Sequence, residues 1–163
     1  MSTPEHLATA FFEISESVFE AMASLRLTFD PARSESCEGL GGADVRVTLE
    51  LSGPSSGLFV LAFSEKLARR LVAGMLEMSE AELDPEDVLD GARELANVVA
   101  GGAKACLEQQ GHRYTLGVPT SVDSADAEIV WPDYAGRRIG GVVEGEPFEI
   151  AVWLSAEPSS PSA

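Results

Sequence analysis

Residues 84–119 have the sequence DPEDVLDGARELANVVAGGAKACLEQQGHRYTLGVP. They contain the one long helical pattern of the chain whose polar side has an unusual composition. Asp84 and Pro85 predict an N-cap followed by a proline in the first turn, and Gly111 predicts that the helix stops after Gln110. The helix is therefore expected to run for about seven turns.

Two stripes follow this predicted helix at steps of three and four residues. The apolar stripe, which should face a core, consists of Val88, Ala92, Leu95, Val99, Ala103 and Cys106. The polar stripe on the other side consists of Asp90, Glu94, Asn97, Gly101, Lys104 and Glu108.

The polar stripe contains residues that do not favour a helix. Asn97 is a mediocre helix former, and the adjacent Gly101 and Gly102 each cost roughly 1 kcal/mol relative to alanine. What these residues permit is the close approach of another backbone beside Glu94 and Asn97. The stripe is therefore interpreted as a docking and catalytic surface.

Asp90, Glu94 and Asn97, followed about twenty-two residues later by Pro119, resemble the signature of the CheC/CheX/FliY family of chemotaxis phosphatases. The surrounding segments ELANVVAGGAKACL and YTLGVPT are most similar to the CheX branch. Three features depart from the family pattern: Gly102 stands where an Asn is common, VDSAD replaces a glycine after the proline, and the Asn97-to-Pro119 interval is one residue shorter.

This resemblance implies a phosphatase that hydrolyses the phosphoryl-aspartate of a CheY-like response regulator. Asn97 would orient the attacking water, and Glu94 would pair with a lysine of the regulator. The resemblance implies no cofactor of the chain's own, with Mg²⁺ held in the acidic pocket of the partner receiver domain. The residues that would tune docking or leave room for the receiver's loops are Asp90, Gly101, Gly102 and Lys104.

Two other functional classes stay open at the level of sequence. The same helix could dock a receiver or a flagellar switch component without turnover, or the chain could be a structural dimerisation domain. A helical Glu is ordinarily a solvated charge, and Asn97 could be a surface amide. The presence of Glu94 and Asn97 together favours the enzyme, because a docking surface alone has no need of a water-orienting amide.

Other chemistry is absent from the sequence patterns. There is no P-loop, no activated nucleophile and no set of metal ligands. His6 and His112 stand alone at predicted helix ends and are expected at the surface. Cys37 and Cys106 form no disulfide framework, so both are expected to be reduced.

The chain carries 27 acidic and 11 basic side chains in 163 residues, a net charge of −16. This charge repels phosphate backbones and anionic lipid headgroups, so neither nucleic acid nor membrane is an expected partner. No run reaches eighteen apolar residues, and the first residues lack the basic segment of a secretory signal. A cytoplasmic location is expected.

Upstream, the apolar periodicity of Leu7, Phe11, Ile14, Val18, Met22 and Leu25 predicts a first helix from Pro4 to about Ser24. Its Glu13 and Glu16 echo the spacing of Glu94 and Asn97, but the second position lacks a carboxamide, so a solvated face is the better interpretation. A further helix, capped by Ser64, carries a basic patch formed by Lys66, Arg69 and Arg70. This patch either contacts an acidic partner or pairs with nearby carboxylates.

Strand patterns occur at 25–29, 45–51, 58–63, 114–118, 127–131, 137–145 and 148–154. Because some of these patterns are only strand pieces, the sequence predicts about six strands in a mostly antiparallel sheet packed against three helices, an α+β fold. One CheX-like domain should cover residues 1–155, and residues 156–163 should form a disordered tail. The resemblance further implies a homodimer paired through edge strands, for which the GVVEG and FEIAVWL segments have the apolar content.

Overall fold

The computed structural model describes residues 3–31, 43–54, 56–122 and 136–154. Its helices are α1 (Thr3–Ala23), α2 (Glu65–Leu76) and α3 (Pro85–Glu108), with a short 3₁₀ helix at Glu80–Glu82. Its strands are β1 (Thr28–Asp30), β2 (Val45–Ser52), β3 (Gly57–Phe63), β4 (Thr115–Leu116), β5 (Thr120–Val122), β6 (Arg137–Val143) and β7 (Glu146–Leu154).

The seven strands form one sheet in the order β1-β6-β7-β3-β2-β4, with β5 also paired to β2. Each registered pair is antiparallel. The predicted α+β fold with three helices and a mostly antiparallel sheet is therefore confirmed. The described residues contain seven strands instead of about six, because Thr120–Val122, which lies between the strands predicted at 114–118 and 127–131, pairs with Arg46–Thr48 of β2.

Several expectations fall outside the described residues. They are the strand predicted at 127–131, the disordered tail predicted at 156–163, the reduced state of Cys37 and the surface position of the His6 side chain.

The β2–β3 hairpin shows why these segments become strands. Along β2, Val45, Val47, Leu49 and Leu51 are buried at every second position, as their alternation predicts. In β3 all six residues from 58 to 63 are buried, which fits a strand with neighbours on both sides and cover on both faces. Helix α3 packs against both strands of this hairpin, and Phe11 of α1 contacts Phe59 of β3.

The first helix is more deeply enclosed than a single apolar stripe predicts. Phe11 stacks on Phe59 of β3 with ring centroids 4.5 Å apart, and Phe19 meets Phe148 of β7 edge-on at 4.8 Å. The predicted stripe residue Ile14 is only partly buried. The difference arises because α1 contacts α2 and α3 as well as β6 and β7, so its buried surface spans more than one row of side chains.

The FEIAVWL segment is not an edge strand. Residues 148–154 of β7 pair with β3 on one side, and β7 pairs with β6 on its other side from Glu146 to Val152. In β6, residues Gly140–Val142 are in turn paired with β1. The expectation that β7 offers an edge for pairing with a second chain is therefore wrong, because both of its hydrogen-bonding sides are used within the sheet.

Among the described helices, none combines the length and apolar character required to cross a bilayer.

Candidate functional site

Helix α3 begins as its sequence dictates. The Asp84 carboxylate accepts a hydrogen bond from the backbone N–H of Asp87 at 2.9 Å, and the Asp87 carboxylate accepts one from the backbone N–H of Asp84 at 3.1 Å. Together with Pro85 in the first turn, this reciprocal capping satisfies amide groups that would otherwise lack partners. The helix ends at Glu108 rather than Gln110, and Gly111 follows in a left-handed conformation with φ of 90°.

One side of α3 is anchored in the core. Its buried residues are Val88, Gly91, Ala92, Leu95, Ala96, Val99, Ala100, Ala103 and Leu107. Cys106, which was expected on this side, is exposed. After Ala103, the next buried residue is Leu107, four positions on, and not Cys106, three positions on. The larger apolar side chain of Leu107 therefore occupies the core. This anchoring fixes which residues of α3 must point outward.

Glu94 and Asn97 both lie on the exposed side of α3. Asn97 is the only asparagine in the 163 residues. One turn further on, a Cβ placed on Gly101 would meet no atom within 4 Å, so the surface beside these two side chains is open. The structure thus presents a carboxylate and a carboxamide side by side on an accessible helix face.

The second glycine does not belong to this open surface. A Cβ on Gly102 would lie 2.9 Å from Cγ2 of Ile14 in α1, so this glycine allows close packing of two helices within the chain. The expectation that Gly102 leaves room for a receiver is therefore wrong. For Gly101, whose Cβ would meet no atom within 4 Å, that role stays a prediction.

Arg93 fastens α3 to the strand beside it. Its Nη1 donates a hydrogen bond of 2.6 Å to the hydroxyl of Ser121 in β5, and its Nη2 donates to the Asp90 carboxylate. Sequence analysis does not predict this bridge, because Ser121 is remote from Arg93 in sequence and lies between the strands predicted at 114–118 and 127–131. The only local signal was the spacing of three residues between Asp90 and Arg93, which favours an ion pair on a helix.

Asp90 and Lys104, predicted to tune docking, both have partners within α3. The Asp90 carboxylate, 63% exposed, is the one held by Arg93. The Lys104 ammonium lies 3.8 Å from the Glu108 carboxylate, and its side chain is 35% exposed. Both charges remain accessible at the two ends of the surface that contains Glu94 and Asn97.

The basic patch of α2 pairs with carboxylates. Its cations lie 3.2 to 3.5 Å from acidic partners, in the pairs Lys66–Glu146, Arg69–Glu65 and Arg70–Glu144. The hydrogen bond that Arg70 donates to the Glu144 carboxylate is the main reason that the pKa of Arg70 is raised. These contacts support the interpretation of the patch as a paired surface, and on α1 Glu13 and Glu16 are simply exposed.

His112 is buried, with 5% of its surface exposed, which corrects the expectation that it lies at the surface. Its backbone N–H donates to the carbonyl of Leu107, because the chain folds back over the end of α3 after Gly111. Tyr114 is buried beside it, and this burial, with a smaller effect of Glu108, raises the pKa of its phenol. Neither side chain lies on the Glu94–Asn97 surface. The side chain of His6 is outside the described part of the chain.

The chemistry available at this surface is limited to positioning. Within the described ranges, no group of three or more His, Cys, Asp and Glu side chains is arranged to bind a metal ion. A carboxamide can accept a hydrogen bond from a water molecule and donate one to another group at the same time, and a carboxylate can pair with a cation. Such a surface can complete a reaction only on a substrate that brings its own electrophile and charge stabilisation.

Comparison with known proteins shows the same architecture in chemotaxis proteins. CheX from Desulfovibrio desulfuricans shares 18% identity at a TM-score of 0.78, covering 92% of this chain and 99% of that chain. CheX from Vibrio vulnificus shares 22% identity at a TM-score of 0.77, covering 91% and 96%. The Borrelia burgdorferi CheX–CheY–BeF3–Mg²⁺ complex matches with 16% identity at a TM-score of 0.74, covering 90% and 96%.

A search among curated proteins found no match. The family model described as chemotaxis phosphatase CheX matches residues 45–139, which is more than half of the chain and includes β2, β3, α2 and the whole of α3. This matched range contains both Glu94 and Asn97. The chain therefore belongs to the CheX family of chemotaxis phosphatases.

Proposed function

We propose that this protein hydrolyses the phosphoryl-aspartate of a CheY-like response regulator, with Asn97 orienting the attacking water and Glu94 pairing with a lysine of the regulator. The observation that carries the proposal is the joint exposure of Glu94 and Asn97 on α3 beside the open Gly101. Membership in the CheX family supports the reaction class, and the Borrelia burgdorferi complex supports CheY as the kind of partner.

In the proposed reaction, Asn97 enters the receiver's active site with one water molecule on its carboxamide. The water oxygen forms a bond to phosphorus while the bond between phosphorus and the aspartyl oxygen breaks. The products are inorganic phosphate and the free aspartate carboxylate, and the proton lost by the water passes to phosphate or solvent. The contribution of Asn97 is geometric, because it holds the nucleophile in line with the bond that breaks.

Glu94 has a different role, which is to fix the depth and angle at which the receiver docks. Its carboxylate lies one helical turn from Asn97 on the same exposed side, so both can reach a single partner. A lysine beside the phosphoryl group of the receiver is the expected counter-charge. The receiver is also expected to hold the Mg²⁺ that neutralises the phosphoryl oxygens, and the chain itself contributes no cofactor.

The remaining proposed partner contacts lie around this pair. Gly101 leaves room for a receiver loop, while Asp90 and Lys104 adjust the charge at the two ends of the surface. We also propose that the protein acts in the cytoplasm, where response regulators are phosphorylated, and as a homodimer.

The proposal is tested by mixing the protein in catalytic amounts with a phosphorylated receiver and measuring the release of inorganic phosphate. Release should accelerate with Mg²⁺ present and return to the receiver's own rate when the metal is chelated. Binding of the phosphorylated receiver without faster release would instead identify a non-catalytic docking module, and the absence of both would remove the assignment to this receiver.

A further inference from the structure

The segment from Gly117 to Pro119, which joins β4 to β5, bulges away from the sheet. Leu116 pairs with Leu51 and Thr120 pairs with Thr48, so three residues of this segment face only Leu49 and Glu50 of β2. One residue is therefore extra, as in a β-bulge. The backbone N–H of Gly117 holds the start of the bulge by donating to the carbonyl of Glu50 at 2.8 Å.

Val118 is the residue that the bulge projects. It is 85% exposed, more than any other large apolar side chain in the described part of the chain. The next most exposed are Phe29 at 54% and Leu76 at 47%. Burial of this exposed apolar side chain against another protein would be favourable, because it removes apolar surface from water.

The bulge lies beside the Glu94–Asn97 surface. Helix α3 and residues 114–121 meet at two points. At one, Arg93 binds Ser121, and at the other, Glu108 lines a cavity with Tyr114 and Thr115. From Arg93 to Glu108 the helix advances about 22 Å, and from Ser121 back to Tyr114 the chain covers about 23 Å. Because α3 also contacts both β4 and β5, the two segments run side by side in opposite directions, and Val118 falls at the height of the turn from Asn97 to Gly101.

The orientation of α3 brings Asn97 towards the bulge. Gly102 faces α1 on one flank of the helix, and Arg93 faces β5 on the opposite flank. Asn97 follows Arg93 by four positions, so its side chain leaves the helix one turn further along on nearly the same side. Asn97 is therefore exposed on the flank of α3 nearer to β5, and the surface between this flank and Val118 is called the notch.

We propose that Val118 is an apolar contact for the same phosphorylated receiver domain, and that the notch between Val118 and α3 seats the receiver's loop beside its phosphoryl-aspartate. This inference rests on the proposed function. The partner chemistry is an apolar side chain on a loop that flanks an acyl phosphate. Continuity with the Glu94–Asn97 surface favours the receiver, because Val118 is exposed at the height along α3 where Asn97 is also exposed.

The test compares Val118→Ser and Val118→Asp with the parent in phosphate release from a phosphorylated receiver with Mg²⁺. The half-saturation concentration should rise about fivefold to tenfold for Val118→Ser, the scale expected for losing one buried apolar side chain, and further for Val118→Asp. The rate at saturating receiver should stay within about twofold of the parent, because Val118 touches no reacting atom. Leu76→Ser, at the end of α2, is the matched control and should change neither parameter.

Unchanged half-saturation in a protein that otherwise releases phosphate would overturn the assignment of Val118 and leave the proposed function standing. A parent that releases no phosphate would remove the proposed function, and calorimetric titration with the receiver would then decide on Val118 directly. A fall in melting temperature or a change in oligomeric state for Val118→Asp would show that Val118 serves the fold or a contact between copies of this chain, which also contradicts the inference.

Discussion

At the scale of single residues, the account depends on the difference between Glu94 and Asn97. Both are exposed on the same side of α3, yet a carboxylate can only accept hydrogen bonds, whereas a carboxamide both accepts and donates. The first is suited to pairing with a cation and the second to holding a water molecule. Substitutions at the two positions should therefore change different kinetic parameters.

Glu94→Ala should raise the half-saturation concentration for the phosphorylated receiver about tenfold, because it removes a charge-assisted contact made on docking. Glu94→Lys should raise it further through repulsion of the receiver's lysine. The rate at saturation should change little, as measured by steady-state phosphate release. Glu13→Ala, on the exposed side of α1, is the control, and equal kinetics for Glu94→Ala and Glu13→Ala would remove Glu94 from the mechanism.

At the scale of secondary-structure elements, α3 has two adjacent glycines that serve opposite purposes. A methyl group on Gly102 would overlap with Ile14 of α1, whereas a methyl group on Gly101 would meet no other atom. The sequence showed that both are unfavourable in a helix but gave no sign of which one packs inside the chain. The difference depends on where α1 lies, which is a tertiary property.

The matched substitutions Gly101→Ala and Gly102→Ala separate these purposes. Gly101→Ala should raise the free energy of unfolding by up to about 1 kcal/mol, because alanine is the better helix former and nothing opposes its methyl group. In Gly102→Ala, the steric overlap of the new methyl group with Ile14 should cancel the gain in helix propensity. This variant should be less stable than Gly101→Ala by about 1–2 kcal/mol. Urea denaturation monitored by circular dichroism measures both. Equal stability would contradict the helix-packing role of Gly102.

The elements themselves were largely predictable, and their contacts were not. The cap at Asp84, the alternation in β2 and the continuous apolar run of β3 are local signals that the structure confirms. The strand at Thr120–Val122 was missed, because three residues after a proline carry too little periodicity to be recognised. The bridge from Arg93 to Ser121 and the burial of His112 both follow from how the chain returns along α3, which a residue pattern does not specify.

At the scale of the whole molecule, the sheet limits how two copies could associate. Because β7 is paired on both sides and β1 covers Gly140–Val142 of β6, a second chain cannot add to the sheet at β7. Exposed hydrogen-bonding edges are what strand-mediated pairing requires. A homodimer that forms through strand pairing must therefore use strands nearer the two edges of the sheet, where β1 lies at one edge and β4 and β5 lie at the other.

Light scattering coupled to size exclusion should give a mass of about twice the 17.2 kDa chain. Raising the salt concentration should preserve the dimer, because a chain with a net charge of −16 associates against its own repulsion and salt screens that repulsion. A mass of one chain at micromolar protein would contradict the homodimer while leaving the α+β fold and the phosphatase proposal intact.

The central claim is that the Asn97 carboxamide aims water at the phosphorus of a receiver's acyl phosphate. Single-turnover dephosphorylation, with protein in saturating excess over the phosphorylated receiver and Mg²⁺ present, isolates that step from docking. The account predicts that Asn97→Ala lowers this rate about a hundredfold or more, towards the receiver's own rate, while receiver binding measured by titration stays near the parent's. Gln109→Ala, an exposed amide just beyond α3, should leave the rate unchanged. An Asn97→Ala variant that dephosphorylates the receiver as fast as the parent would contradict the claim.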